Sequence, residues 1–132
     1  LMALDTSEGA MRAIDYVGTM GDIADLEVPI FHAVRALDEK ILHKAQESME
    51  PVFRDACRRL EKAGFTHKQT TTKLATRVLS RAGAIIEEAL KGGYGTIVVG
   101  RRGLSEVEEF SMGRVSNKII HMAKELAVWV VS

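Results

Sequence analysis

The chain has 132 residues, 46% apolar and 27% charged, the profile of one soluble globular domain that buries about two thirds of its unfolded surface without staples. Eighteen basic and eighteen acidic side chains cancel, which excludes a global field drawing the protein to nucleic acid or to an anionic membrane, so any anion site must be local. The single cysteine, Cys57, excludes an internal disulfide, and no run of about twenty apolar residues is present to span a bilayer, which makes a reducing cytoplasm the expected location.

The chain opens on LMALD, apolar from its first residue and without a basic n-region or cleavage site. Residues 1–4 read as a strand, and so abrupt a start leads us to expect further residues or a whole domain upstream. Met11, Ile14, Val17 and Gly18 then fall on one helical stripe. VPIFHAV, residues 28–34, is the second strand run. Residues 35–50 carry charge with little apolar periodicity and read as a mobile loop into a second helix, whose stripe is Phe53, Cys57 and Leu60 with Ala56 and Ala63 beside it. HKQTTTKL, residues 67–74, is polar and threonine-rich, as an edge strand tends to be. Val78, Ala82, Ile85, Ile86, Ala89 and Leu90 form a third stripe that stops at Gly92 and Gly93, a C-cap signal. TIVVG at 96–100 and AVWVVS at 127–132 are strand runs on either side of a fourth helix carrying Val115, Ile119, Met122, Ala123 and Leu126.

Alternating strands and helices, with central strands that read as continuous β-branched runs, predict a parallel sheet covered on both faces. Right-handed crossovers make it doubly wound, with ligands at the carboxyl ends of strands where the strand order reverses. That points to two segments, Asp5 onward and Gly100 onward.

After the fourth strand the glycines stand as Gly100, two residues, Gly103, nine residues, Gly113, and a helix follows. This spacing permits close backbone approach at a strand end and again at a helix N-terminus, where N–H groups and the helix dipole favour an anion. Arg101, Arg102 and Arg114 add charge suited to phosphate oxygens, and Ser116 adds a hydroxyl in the first turn. The same glycines also satisfy plain turn requirements.

Joined to the opening ALDTSEGAMRA, to IFHAV and to GRVSNKIIHMAKELAVWVV, this glycine pattern resembles the signature of the universal stress protein family, and the resemblance covers essentially the whole chain. It implies a single domain over residues 1–132, excised from a longer or tandem chain if residues precede it, with five strands in the order 3-2-1-4-5. It further implies that ATP or AMP lies across the strand ends, with Mg2+ accompanying ATP only. Asp5, flanked by Ala3, Leu4 and Thr6, would face the adenosine. Ala33 matches the apolar position near adenine, and Val99, Gly100 and Gly103 lie under the ribose and phosphates, with Arg101 and Arg102 between those glycines. Gly113, Arg114, Val115 and Ser116 match the residues that hold the phosphates.

Two departures bear on that implication. Arg114 occupies the signature's serine or threonine position, so it either clamps a phosphate or fills the pocket. Glu106, Glu108 and Glu109 crowd the same loop, and each would repel a triphosphate by on the order of 1–4 kcal/mol unless it points to water. If they close the site, the alternative is an interaction module that binds no nucleotide. Asp5 also has a plainer reading as the N-cap of the first helix, with Ser7 competing for that role.

The remaining candidates are plainer. His32, His43, His67 and His121 share no metal-ligand spacing, so no metal is expected, and His32 reads as a strand histidine. Cys57 lies on an apolar stripe, Ser105 and Ser111 read as loop hydroxyls, and no Walker loop or GxGxxG is present. No catalytic constellation emerges beyond, at most, slow ATP hydrolysis. Val128, Trp129, Val130 and Val131 make an apolar edge that invites pairing. In the resembled family the last strands of two subunits pair, which implies a homodimer or a tandem-domain partner here.

Overall fold

Strands and helices alternate as the sequence predicts: β1 (Met2–Ala3), α1 (Glu8–Thr19), β2 (Ile30–Val34), α2 (Glu39–Lys62), β3 (Thr72–Thr76), α3 (Arg81–Gly92), β4 (Thr96–Gly100), α4 (Arg114–Met122) and β5 (Ala127–Val131). The structure, a computed structural model, describes residues 1–20, 26–101 and 112–132. The strands form one parallel sheet in the expected order β3-β2-β1-β4-β5.

Alternation along the central strands sends side chains into two separate cores. Ile30 and Val98 join Met2, Ile14, Met49 and Leu60 on the face covered by α1 and α2. Their neighbours Phe31, Ile97 and Val99 join Ile85, Ala89 and Ile119 under α3 and α4. Cys57 packs half-buried against the first core, and burial raises its thiol pKa, as befits a small apolar residue rather than a nucleophile.

Local chemistry explains most element boundaries. The Ser7 hydroxyl accepts from Ala10 N at 3.2 Å to cap α1, and that of Ser80 accepts from Gly83 N at 3.1 Å to cap α3. Gly93 closes α3 with φ at 70°, the left-handed conformation its lack of a side chain makes accessible.

Three expectations are corrected. Residues 35–50 are not a loop throughout, because α2 begins at Glu39 with Asp38 as its cap. The buried positions of its first half, Leu42 and Met49, stand two full turns apart, a stripe too sparse to register in a short window although Ala45 lies half-buried between them. Pro51 sits within this helix and withholds one N–H without ending it. The third strand starts at Thr72 rather than at 67, because residues 66–69 turn: Gln69 N donates to Thr66 O at 3.0 Å and Gln69 Oε1 accepts from Thr66 N at 2.9 Å. Finally, Leu90 and Met122 lie at the exposed margins of their stripes instead of in the core.

Candidate functional site

β1 and β4 are neighbours at the centre of the sheet, yet their following helices pack on opposite faces, α1 against the first core and α4 against the second. The carboxyl ends of these two strands therefore flank the switch point at which open α/β sheets receive ligands. Asp5 and Thr6 follow β1 there, while Gly100, Arg101 and the start of α4 lie across from them.

Gly100 is the hub of this arrangement. A Cβ added to it would stand 2.9 Å from both the carbonyl carbon and the oxygen of Gly9 and 3.3 Å from Ala10 N, so the glycine makes room for the first turn of α1. Ser116 is 6% exposed, and its hydroxyl donates to the carbonyl of Gly100 at 2.6 Å. Gly113 N donates to Arg101 O at 2.8 Å, and Arg101 N donates to Val131 O at 2.8 Å. The openings of α1 and α4 are thus both seated on the end of β4.

Ser116 carries one hydroxyl proton, and Gly100 O receives it. In this arrangement the residue braces α4. Among the described residues, the first turn of α4 is the element that can receive an anion. Its cap, Gly113, makes no side-chain hydrogen bond, whereas Ser7, Asp38 and Ser80 each cap their helix with a side-chain oxygen. First-turn N–H groups without a side-chain acceptor favour a negative ligand. The side chain of Arg114 is exposed beside them. Val115 is half-buried against the second core.

On the other side, Asp5 is half-buried. Its Oδ1 accepts from Ser7 N at 2.8 Å and from the Ser7 hydroxyl. Ser7 is the helix cap and Asp5 buttresses it, so the competition between the two resolves into a relay. Thr6 is exposed and Ala3 half-buried, while Leu4 is buried with its N donating to Phe31 O at 2.8 Å. Ala33 and Val99 are buried in the core under α3 and α4. Arg102 and Gly103 lie outside the described residues, as do Ser105, Glu106, Glu108, Glu109 and Ser111.

His32 has a role that its strand position concealed. Nδ1 lies 2.6 Å from Leu4 O, and because a carbonyl only accepts, Nδ1 carries the proton and Nε2 is the bare nitrogen of the neutral ring. The ring thereby clamps the peptide immediately before Asp5. Burial lowers the His32 pKa from its ordinary value. The bond to Leu4 and the charge of Asp5 oppose that shift, and Arg81 adds to it. A histidine aligned with the last residues of the preceding parallel strand was the available signal.

β5 forms one edge of the sheet. Val128 and Val130 pack against the second core and Val131 against the first. Trp129 is exposed and lines, with Tyr16 of α1, Val130, Val131 and Ser132, an open groove of about 470 Å³. Among the described residues no three His, Cys, Asp or Glu side chains are grouped to hold a metal, and no helix is long and apolar enough to cross a membrane.

A family model described as the universal stress protein family matches residues 1–132, and no curated protein matches the chain. Solved structures with a similar fold include the universal stress protein UspA from Lactobacillus plantarum, with a TM-score of 0.82 at 12% identity over 99% of this chain and 95% of that one. The universal stress protein from Archaeoglobus fulgidus in complex with dAMP superposes with a TM-score of 0.73 at 18% identity, covering 99% of this chain and 94% of that one. A universal stress protein in complex with cAMP gives 0.74 at 20% identity, again over 99% and 94%. At these identities the likeness is one of fold.

Proposed function

The chain belongs to the universal stress protein family, and from that premise we propose that it is a regulatory module that binds an adenine nucleotide, ATP or AMP, across the carboxyl ends of β1 and β4. The observation that carries this reading is the α4 terminus, which has no side-chain cap among the described residues and stands at the switch point beside Arg114. The phosphates would sit on the first-turn N–H groups of Arg114, Val115 and Ser116, approach closely at Gly113 and meet the guanidinium groups of Arg114 and Arg101. The adenosine would extend toward Asp5 and Thr6, past Ala3 and Leu4, with its ribose over Val99 and Gly100 and its base toward Ala33. Mg2+ would enter with ATP, carried by the phosphates. That two neighbours of this fold are complexes with cAMP and dAMP supports the adenine preference. We assign no catalytic residue. A reducing cytoplasm suits the lone thiol of Cys57, and the apolar edge of Val128, Trp129, Val130 and Val131 suits pairing with a second copy or a tandem domain.

One observation favours a second reading, an interaction module without nucleotide: the hydroxyl of Ser116 and the space at Gly100 are both used within the fold. Mass spectrometry of protein purified without added ligand, with calorimetric titration of ATP and AMP, separates the two. Co-purified nucleotide or saturable heat supports the first. Neither, at millimolar ATP, establishes the second.

A further inference from the structure

The carboxyl edge of the sheet continues past the switch point to the ends of β2 and β3, and there the fold leaves aliphatic side chains in water. Leu37 and Leu79 each stand one residue ahead of a helix cap, Asp38 for α2 and Ser80 for α3. A side chain at that position ordinarily folds back onto the first turn of its helix. Leu37 is nevertheless 74% exposed and Leu79 95%, and Ile41 in the first turn of α2 is 56% exposed. The two loops adjoin: Val78 N donates to Val34 O at 3.2 Å, and Arg77 pairs with Glu39.

The surroundings are basic. Both local carboxylates are engaged within the fold, Asp38 as acceptor for Lys40 N at 2.8 Å and Glu39 with Arg77. Arg35, Lys40 and Arg81 are exposed and hold no ion pair among the described residues. Neither loop carries an aromatic residue, which disfavours a stacked nucleic-acid base and an interfacial membrane anchor. Aliphatic side chains rimmed by cations suit an amphipathic peptide of opposite charge.

We propose that this edge is a docking surface for an acidic, leucine-bearing peptide segment of a partner protein, whose apolar side chains cover Leu37, Ile41 and Leu79 while its carboxylates meet Arg35, Lys40 and Arg81. Binding of such a peptide does not depend on a nucleotide.

The test uses the full chain and a fluorescein-labelled helical peptide with leucines at three- and four-residue spacing among glutamates, beside a twin with lysine in place of every glutamate. Anisotropy titration at low salt should show saturable binding of the acidic peptide, about ten-fold weaker for the twin and about ten-fold weaker for a Leu37→Ser/Leu79→Ser variant whose circular dichroism and melting are unchanged. Arg35→Glu should weaken it further and flatten its salt dependence. Equal binding of the two peptides, or undiminished binding by the serine variant, overturns the proposal. So does sedimentation showing that the serine variant dissociates a dimer, which assigns the patch to a second copy. Co-sedimentation with phosphatidylglycerol vesicles that the serine variant loses assigns it to a membrane and overturns the proposal likewise.

Discussion

Replacing Gly100 with alanine separates the packing role of this glycine from a ligand role without any ligand present. The new methyl would stand 2.9 Å from Gly9 C and O and 3.3 Å from Ala10 N, well inside the usual carbon contact of about 3.5–4.0 Å. All three obstacles are main-chain atoms in the first turn of α1, which is anchored by the Ser7 cap, so no flexible side chain can swing aside. The strain must move α1 relative to β4, and overpacking of this kind costs about 1–3 kcal/mol. Taking about 2 kcal/mol, and an unfolding entropy for 132 residues equivalent to roughly 0.28 kcal/mol per degree, the melting temperature should fall by about 7 °C. The assay is thermal unfolding followed by circular dichroism, without nucleotide, against Gly95→Ala as control. A Cβ on Gly95 meets nothing within 4 Å and should change stability by less than about 0.5 kcal/mol. A Gly100→Ala protein that melts within about a degree of the parent would refute the packing argument and return Gly100 to the ligand.

Three further outcomes follow from the same geometry. Ser116→Ala removes the donor to Gly100 O inside a buried setting and should destabilise by about 1.5 kcal/mol, roughly 5 °C; unchanged melting with weakened ATP binding would show instead that the hydroxyl serves a phosphate. Arg114→Ala, at an exposed position, should weaken ATP about three- to five-fold in calorimetry with less effect on AMP, and tighter binding would mean that the arginine obstructs the site. Because burial holds the His32 pKa below its ordinary 6.5, the unfolded chain binds the proton more readily than the folded one. The resulting stability is complete above about pH 6.5 and is lost as the pH falls toward the lower folded value. Melting curves between about pH 5 and 7.5 should slope less steeply for His32→Gln than for the parent, and identical slopes would remove His32 as the source.

The sequence was informative where a residue type has one structural use. Gly93 marked the end of α3 because a left-handed glycine has few alternatives there. β2, β4 and β5 stood out as apolar runs, and their alternation with helices led to the parallel sheet, while its strand order came with the family resemblance. It was least informative where one letter serves two purposes. A glycine at a strand end looks the same whether it admits a phosphate or the backbone of Gly9, and only the packing of α1 decides. Thr66 through Thr72 offer the same polar composition to a turn and to an edge strand, which moved the start of β3. Asp5 and Ser7 were both visible as caps, but their relay, and the bond from His32 to Leu4 O, depend on strand register. Arg114 was flagged by its departure from the family pattern, and its exposure required the coordinates.

The hydrogen bonds from Gly113 N to Arg101 O and from Arg101 N to Val131 O link the opening of α4 to the outermost strand through a single residue. Given a nucleotide at one end and a paired subunit at the other, this short main-chain bridge is the most direct route by which the two events can be thermodynamically coupled. Such coupling is reciprocal: the factor by which nucleotide tightens subunit association must equal the factor by which association tightens nucleotide. The protein would then report ligand occupancy as assembly, with no domain motion required.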